Sequence, residues 1–204
     1  MLVLAVDTAT TDLIVGLADA DSGRVLAESV ETTRAHNERL VPAVESLMAE
    51  AGAAYRDLGA VVVGCGPGPF TGLRVGMASA SAFAQALGIP VHGVVTHDAV
   101  AELAGKGNTL VVTDARRREV YWAHYVGGER VAGPDVCAPG AVPVHKVDVL
   151  SVPEPLRDKL TVQAGEVTYV APRAEGLVKA ADFDAAPAPL VPLYLRRPDA
   201  TPPK

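Results

Sequence analysis

The sequence contains few of the residues that build disulfide-stapled or membrane-bound proteins. Its 204 residues include two cysteines, Cys65 and Cys137, which excludes a disulfide framework and is typical of a reduced, intracellular chain. No apolar run approaches the roughly 20 residues that span a bilayer. The first apolar run stops at Asp7, which is too short for a signal peptide. We therefore expect a cytoplasmic protein that makes no contact with membranes.

Basic charge and aromatic side chains are also scarce. The net charge is −6, and arginines cluster only at residues 116–118 and 196–197. A protein that binds nucleic acid tightly on its own normally carries a larger basic face. Aromatic residues make up 4% of the chain, whereas 49% of the residues are hydrophobic. Alanine and valine therefore supply most of the core, which suits helices packed closely on a sheet.

Glycine and proline are concentrated between Gly64 and Gly76. This segment follows an apolar strand predicted at residues 60–63 and precedes a helix predicted at 71–87. A strand, a Gly-rich turn and a helix start form the usual frame of an anion site. The segment lacks Gly-Lys-Ser/Thr, and the Gly-x-Gly-x-x-Gly spacing would need glycine where Pro69 or Thr71 stands. A rigid turn that binds no ligand therefore stays open as the alternative.

The order of the predicted elements is that of a ribonuclease H-like fold. The predicted strands lie at residues 2–6, 13–18, 25–32, 61–63 and 91–95, and the predicted helices at residues 37–51, 71–87 and 97–104. The first three strands are joined by short turns and make an antiparallel meander. The later strands alternate with helices, which predicts parallel crossovers.

The second half of the chain repeats the opening pattern in a weaker form. An apolar strand ends at Asp114, as the first strand ends at Asp7, and an antiparallel return follows. Two such halves predict an α/β, actin-like (ASKHA) architecture of two ribonuclease H-like lobes with mixed sheets and helices. The second lobe is expected to be degraded, because residues 127–155 are rich in Pro and Gly and predict short strands at best. We place the N-terminal lobe at 1–104 and a smaller C-terminal lobe, with a Pro-rich tail, at 105–204.

The polar strand ends supply a candidate phosphate site. Its residues are Asp7, Thr8, Thr10 and Asp114. A carboxylate at the end of a buried strand, with hydroxyls and backbone N–H groups beside it, can hold a phosphate or a metal-bound water. A turn in which these side chains bond the local backbone is the alternative. The duplicated Asp residues motivate the hypothesis of an actin-like, nucleotide-binding ATPase, although the second half shows no clear Gly-rich adenosine loop.

The helix predicted at 71–87 is apolar nearly all round. Few charges occur between Val75 and Leu87, and small residues occupy several sides. A helix of this kind is buried nearly all round, either by its own domain on both sides or by a partner chain on one side. Small residues permit close helix–helix approach, which favours a partner chain.

Motifs along almost the whole chain point to one family. They are Leu4-Ala5-Val6-Asp7-Thr8-Ala9-Thr10, His36-Asn37-Glu38, Gly66-Pro67-Gly68-Pro69-Phe70-Thr71-Gly72-Leu73-Arg74-Val75-Gly76, Asp114-Ala115-Arg116-Arg117 with Glu119-Val120-Tyr121, and Tyr194-Leu195-Arg196. In this order they resemble the bacterial TsaB family, also called YeaZ. One departure is Pro69, where the family commonly has Ser, and it removes a hydroxyl and an N–H from the loop.

The resemblance implies an actin-like fold and a role in forming N6-threonylcarbamoyladenosine at position 37 of tRNAs that read ANN codons. It implies a non-catalytic, activating subunit that forms a heterodimer with the homologous transferase TsaD, within an assembly that includes the ATPase TsaE. It also implies a homodimer in isolation and contact with tRNA only through the complex. No catalytic residue, metal or resident cofactor is expected, and ATP or ADP would bind weakly, at the level of the complex.

The same resemblance implies a partner or dimer surface on the helices predicted at 37–51 and 71–87. Its residues are Leu40, Val44, Leu47, Met48, Gly72, Gly76, Met77 and Ala80. Arg74, in the same region, is expected to form a structural ion pair or to contact the partner.

The histidines distinguish the accessory subunit from the transferase. TsaD carries a His-x-x-x-His metal pair, and the corresponding positions here are Thr96 and Val100, with His97 out of register. Because a metal needs several correctly placed ligands, the chain resembles the partner and not the transferase. A metallopeptidase is the remote alternative, since none of the five histidines forms a His-Glu-x-x-His or His-x-x-x-His pair.

Overall fold

The computed structural model describes residues 1–196, in which ten strands form two five-stranded sheets. Arg197 and the end of the predicted Pro-rich tail lie outside the described residues. Each sheet combines an antiparallel meander with two parallel strands, which confirms the predicted α/β architecture of two lobes.

The first sheet is centred on the first strand of the chain. Its strands are β1 (Leu2–Asp7), β2 (Asp12–Asp19), β3 (Arg24–Thr32), β4 (Leu58–Gly64) and β5 (Val91–Val94). They lie in the order β3-β2-β1-β4-β5, with β1 to β3 antiparallel and β4 and β5 parallel to their neighbours. Both faces of β1 are covered, because Leu4 and Val6 lie in the core on one side of the sheet and Val3 and Ala5 lie in the core on the other. This explains its continuous apolar run.

The second sheet repeats this arrangement strand for strand. Its strands are β6 (Asn108–Asp114), β7 (Val120–Val126), β8 (Glu129–Cys137), β9 (Lys146–Ser151) and β10 (Gln163–Thr168). They lie in the order β10-β9-β6-β7-β8, so that β6 takes the central place that β1 has in the first sheet. The internal duplication predicted from the paired Asp strand ends is therefore complete at the level of the sheets.

The helices differ between the two halves. They are α1 (His36–Glu50), α2 (Phe70–Leu87), α3 (Thr96–Ala104), α4 (Glu154–Arg157) and α5 (Ala174–Ala180). Where α2 spans 18 residues between β4 and β5, α4 spans four residues between β9 and β10. Where α1 joins β3 to β4, the second half has a single 3-10 turn at Pro139–Ala141. The second lobe is thus reduced, as predicted, but it is the helices that are shortened or missing, whereas all five strands are kept.

One prediction for the second half is wrong. Residues 127–155 were expected to hold short strands at best, but β8 is nine residues long and contains Gly133 and Pro134. Proline is tolerated there because β8 is an edge strand, where the missing N–H need not pair with a neighbour. In the first half, Pro42 lies inside α1, on its exposed side.

Helices cover both faces of the first sheet. Helices α1 and α2 pack on one face through an apolar stripe that includes Leu40, Leu47 and Leu73. The other face is covered by α5, whose Leu177 packs against β1 and β4. The approach of α5 is close, because a Cβ atom added at Gly16 of β2 would lie 2.3 Å from the Ala174 Cβ.

The helix that follows each sheet packs on the other sheet. Helix α3 follows β5 but packs on β6 and β7, and its Val100 shares a core cluster with Val111 and Tyr125. Helix α5 follows β10 but packs on the first sheet. The two helices touch each other, since a Cβ atom added at Gly176 would lie 2.1 Å from the Ala99 carbonyl oxygen. This packing crosses the predicted boundary between residues 104 and 105, which itself stays a prediction.

The described part of the tail runs back along the first sheet. Residues 181–196 contain no helix or strand, and the Leu193 N–H donates to the Cys65 carbonyl oxygen at 2.9 Å. Within residues 1–196, no helix is both long and apolar enough to cross a membrane.

Candidate functional site

Four glycines of the Gly-rich segment pack against the turn that follows β1. A Cβ atom added at Gly68 would lie 2.4 Å from the Ala9 carbonyl oxygen, and one added at Gly72 would lie 2.4 Å from the Thr8 carbonyl oxygen. At Gly76 the obstacle is the Thr8 hydroxyl, at 2.3 Å, and at Gly64 it is the Asp7 carboxylate. The glycines are needed for this close packing, so the segment seats the Asp7–Ala9 turn.

The turn itself is held by a buried network of hydrogen bonds. One Asp7 carboxylate oxygen accepts the Ala9 N–H at 2.7 Å, and the other accepts the Thr96 hydroxyl at 2.8 Å. The Thr96 hydroxyl oxygen in turn accepts the Gly66 N–H at 3.2 Å. The Thr8 hydroxyl donates to the Gly72 carbonyl oxygen at 2.8 Å. The network joins β1, the Gly-rich segment and the start of α3.

The predicted phosphate residues therefore bond to the chain's own groups. Asp7 and Thr8 are fully buried in the network just described. Thr10 lies in the next turn, where its hydroxyl accepts the Asp12 N–H at 3.1 Å. Asp114 is exposed at the end of β6, and its carboxylate accepts the Arg116 N–H at 2.8 Å. The bonds donated by the Ala9, Asp12 and Arg116 N–H groups are the local turn bonds of the alternative interpretation. The bonds of Asp7 with Thr96 and of Thr8 with Gly72 join distant segments instead. Binding of a nucleotide by these four residues stays a prediction.

Burial perturbs the ionisation of Asp7. Removal from water raises the pKa of its carboxyl from 3.8 to about 6, although the hydrogen bonds from Ala9 and Thr96 act in the opposite direction. The folded chain therefore holds this proton more tightly than the unfolded chain. The contribution of Asp7 to stability is fully present below pH 3.8 and is lost as the pH rises through about 6.

We expect Asp7→Asn to be more stable than the parent at neutral pH. The substitution removes the buried charge, and a pKa raised from 3.8 to about 6 corresponds to at most about 3 kcal/mol. The difference in the free energy of unfolding should shrink as the pH falls through this range. It is measured by urea unfolding of both proteins at each pH. Burial lowers the pKa of His97, so His97 affects stability in the opposite direction, but its contribution is the same in both proteins and cancels in the comparison. A difference in the free energy of unfolding that does not change with pH would contradict the raised pKa of Asp7.

The environment of His97 is that of a core residue. It is fully buried at the start of α3, where its Nε2 lies 2.9 Å from the Thr113 hydroxyl, and burial lowers its pKa to about 3. Thr96 is bonded to Asp7, and Val100 lies in the core between α3 and the second sheet. In the described part of the chain, no three His, Cys, Asp or Glu side chains are grouped to hold a metal ion.

The residues predicted for a partner surface face inward. Leu40, Val44, Leu47 and Met48 of α1, and Met77 and Ala80 of α2, belong to the core beneath these helices. Gly72 and Gly76 face the Thr8 turn. The resemblance implies a partner surface on these two helices, but it does not say which of their faces lies on the chain's own sheet. That α1 and α2 form an interface stays a prediction, and only their outer faces are open to it.

The outer face of α2 is exposed and uncharged. No Asp, Glu, Lys or Arg occurs from Val75 to Leu87. The exposed positions in this range are Ala78, Ser81, Ala82, Gln85 and Ala86. A helix whose outer face meets only water normally carries charged residues there. The absence of charge on this face is therefore compatible with a contact to another protein.

Arg74 belongs to an aromatic cluster that the sequence did not predict. Its guanidinium carbon lies 3.9 Å from the centre of the Phe70 ring, and its Nε donates to the Tyr194 hydroxyl at 3.1 Å. The Phe70 and Tyr194 rings lie 4.8 Å apart. Because Tyr194 is 120 residues from Arg74, no local pattern could have revealed the contact.

Comparison with known families places the chain among tRNA-modification proteins. The family model described as TsaD, tRNA N6-adenosine threonylcarbamoyltransferase, matches residues 25–186. An uncharacterized protein of Mycobacterium tuberculosis is 52% identical over 202 residues, covering 98% of this chain and 94% of the relative. The tRNA threonylcarbamoyladenosine biosynthesis protein TsaB of Escherichia coli is 37% identical over 129 residues, covering 61% of this chain and 55% of that protein.

Solved structures give the same result. YeaZ from Pseudomonas aeruginosa superposes with a TM-score of 0.73 at 30% identity, covering 88% of this chain and 89% of that one. An uncharacterized Pseudomonas aeruginosa protein with similarity to peptidase YeaZ superposes with a TM-score of 0.77 at 29% identity, covering 96% of this chain and 99% of that one. The ethanolamine utilization protein EutJ of Carboxydothermus hydrogenoformans superposes with a TM-score of 0.50 at 12% identity, covering 87% of this chain and 88% of that one. This similarity shows the fold alone. The predicted actin-like fold is confirmed.

Proposed function

Because the chain belongs to the TsaB (YeaZ) family, within the wider family of TsaD-type threonylcarbamoyltransferases, we propose that it is the accessory subunit that activates TsaD by forming a heterodimer with it. Its role lies in the biosynthesis of threonylcarbamoyladenosine in tRNA. The chain itself performs no chemical step in this proposal, and the threonylcarbamoyl group is transferred by TsaD to adenosine 37 of tRNAs that read ANN codons.

The observation that carries the proposal is the uncharged outer face of α2. Ala78 and Ala82 lie one helical turn apart on this face, and both are exposed. Such small side chains let the backbone of a partner helix come close. The buried polar network supports an accessory role as well, because the polar atoms of Asp7, Thr8 and Thr96 are bonded within the chain.

We expect the double variant Ala78→Arg, Ala82→Arg to lose its affinity for TsaD. Arginine is a good helix former, so it is tolerated at exposed helix positions of the free chain. In a helix–helix contact it would place two large, charged side chains between the partners. We expect binding to weaken by at least about 30-fold, since burying an unpaired charge costs about 2 kcal/mol or more. Isothermal titration calorimetry with the cognate TsaD measures the change.

The matched control is Glu102→Arg, on the exposed side of α3. It changes the net charge by the same amount as the double variant but lies on another helix. It should bind TsaD as the parent does. Unchanged binding of the double variant would show that the interface lies elsewhere, whereas failure of the parent to bind TsaD would remove the proposed function.

Reconstitution tests the activating role directly. Purified TsaD and TsaE, an unmodified tRNA that reads ANN codons, and the substrates of the reaction are incubated with and without this chain. We propose that the modification depends on the chain and that a tRNA outside the ANN group stays unmodified. Association with TsaE, and a homodimer of the free chain, are further proposals that analytical ultracentrifugation of the mixtures tests.

A further inference from the structure

The edge of the first sheet at β5 carries backbone groups without a partner. Strand β5 is the last strand of its sheet and pairs with β4 alone. The Val61 N–H donates to the Pro90 carbonyl oxygen, and the Cys65 N–H donates to the Val94 carbonyl oxygen. Since successive residues of a strand direct their N–H and C=O groups to opposite sides, those of Gly93 point away from β4. Among residues 1–196, no hydrogen bond joins either group of Gly93 to another residue.

The tail passes this edge without pairing with it. Residues 185–189 read Ala-Ala-Pro-Ala-Pro, and proline has no N–H to donate to a neighbouring strand. Between residues 182 and 196, the bond from the Leu193 N–H to the Cys65 carbonyl oxygen is the only backbone hydrogen bond that reaches another part of the described chain. The tail therefore covers β5 but leaves the outward backbone groups of Gly93 open.

A cavity of about 370 Å³ lies between the tail and β5. Its volume is within the range of ligand sites in proteins, about 300–1,000 Å³. Gly93 contributes to its wall, and so do three exposed alanines of the tail, Ala185, Ala186 and Ala188. Because this part of the wall is exposed, a molecule in solution can enter the cavity and reach the backbone of Gly93.

A buried histidine in the same wall also lacks a hydrogen-bond partner. The His92 side chain lines the cavity and is 8% exposed. Its ring lies 5.1 Å from the Phe183 ring, but its nitrogens form no hydrogen bond within the described part of the chain. Buried polar side chains normally have a partner. His92 thus points, independently of Gly93, to an occupant that carries hydrogen-bonding groups.

The wall suits an occupant with small, uncharged side chains. No Lys or Arg is among the described residues that line the cavity, and Oδ1 of its one carboxylate, Asp182, already accepts the Asp184 and Ala185 N–H groups. A Cβ atom added at Gly93 would lie 2.7 Å from the Cys65 Sγ. There is therefore little room for a large side chain beside Gly93, and no free charge that would attract an ion.

We infer that this cavity, called here the β5 cavity, binds an extended peptide segment of a partner protein, which adds a strand beside β5. An extended backbone presents N–H and C=O groups along its edge, so it can pair with both groups of Gly93. The side chains of the segment that face the wall are small and uncharged, such as Ala and Val. The inference goes beyond the proposed function and does not rest on it.

The experiment is a titration of the full, ¹⁵N-labelled chain with the peptide N-acetyl-Ala-Val-Ala-amide, followed by NMR. We expect the amide signal of Gly93 to shift and to saturate with a Kd of about 0.1–1 mM, because a short peptide has few contacts. In the free chain the Gly93 N–H should exchange with solvent faster than the N–H groups of His92 and Val94, which face β4. Saturation with peptide should slow the exchange at Gly93 by at least about 5-fold.

Two variants and one matched control test the site. Ala188→Trp fills the β5 cavity from the exposed tail and should weaken binding by at least about 10-fold. It should shift the melting temperature by less than about 4 °C, because its position is exposed. His92→Phe keeps a ring but removes the hydrogen-bonding nitrogens, and should weaken binding by at least about 3-fold. The control, Ala49→Trp, makes the same change at an exposed position of α1 and should bind within about 2-fold of the parent.

Two further probes separate strand pairing from other kinds of contact. The same peptide with every residue N-methylated cannot donate to Gly93 and should not bind, whereas equal binding would show that side chains alone make the contact. N-Methylacetamide carries one amide and should cause no saturable shift at about 10 mM. If it shifted Gly93 as the peptide does, the cavity would take a single amide and not a strand.

Three other results would overturn the inference. The first is the absence of a saturable shift at Gly93 with about 10 mM peptide. The second is equal weakening by Ala188→Trp and Ala49→Trp, which would place the contact outside the β5 cavity. The third is slow exchange of the Gly93 N–H in the free chain, because the edge would then already be paired. None of these results bears on the heterodimer with TsaD.

Discussion

A chain that ends at residue 104 is expected not to form a stable domain. It would keep all five strands of the first sheet but would lose α5, which covers the face formed by residues such as Val3, Ala5 and Val62. Helix α3 would also lose the second sheet on which its Val100 packs. We expect no cooperative thermal transition for this fragment by circular dichroism, because an uncovered apolar face favours aggregation. A sharp transition near that of residues 1–204 would contradict this.

A point variant tests the same contact in the whole chain. Leu177 of α5 is fully buried, and Leu177→Ala should lower the free energy of unfolding by about 3 kcal/mol through lost burial and a cavity. The control is Lys179→Ala in the same helix, which removes only an exposed ion pair with Glu175 and should cost less than about 0.5 kcal/mol. Urea unfolding measures both, and equal effects would show that α5 does not hold the first sheet.

Gly64→Ala is expected to destabilise the chain strongly. The added Cβ would lie 1.8 Å from the nearer Asp7 carboxylate oxygen, 2.5 Å from the carboxylate carbon and 2.7 Å from the Thr96 hydroxyl. Asp7 cannot turn aside without breaking its bonds to Ala9 and Thr96. Overpacking together with lost buried hydrogen bonds should cost about 4 kcal/mol. Urea unfolding with an unchanged m-value would measure this loss.

Gly140→Ala is the matched control. Apart from its neighbours in the same turn, no atom lies within 4 Å of a Cβ atom added at Gly140, so the same chemical change should alter stability by less than about 0.5 kcal/mol. If Gly64→Ala also proved neutral, the network around Asp7 would be more adaptable than its burial indicates. The Gly-rich segment would then need another explanation.

The strands and helices of the first lobe were predictable because their apolar runs are long and regular. The helix expected at 71–87 begins at Phe70, and the helix expected at 37–51 spans His36–Glu50. Strand β8 was missed because Gly133 and Pro134 are untypical of strands, and the sequence did not show that it lies at a sheet edge. Local sequence patterns thus predicted the regular strands and helices. They did not predict a strand that contains Gly and Pro, which only a place at the sheet edge permits.

The candidate site was predictable in part. The Gly-rich segment and Asp7 were recognised, but the contact between Asp7 and Thr96 joins residues 89 positions apart, and no local pattern encodes it. The stripe of Leu40, Val44 and Leu47 showed an apolar helix face without showing that the chain's own sheet covers it. Likewise, the strand order predicted two similar halves but not that α3 and α5 each pack on the opposite sheet.

The exchange of α3 and α5 between the sheets has a consequence during synthesis on the ribosome. The first sheet is complete in sequence at Val94, but the helix that covers one of its faces begins at Ala174. At about 5–20 residues per second, roughly 4–16 s pass between the two. We expect the nascent chain to expose an apolar sheet face throughout that interval and to bind chaperones that act during translation.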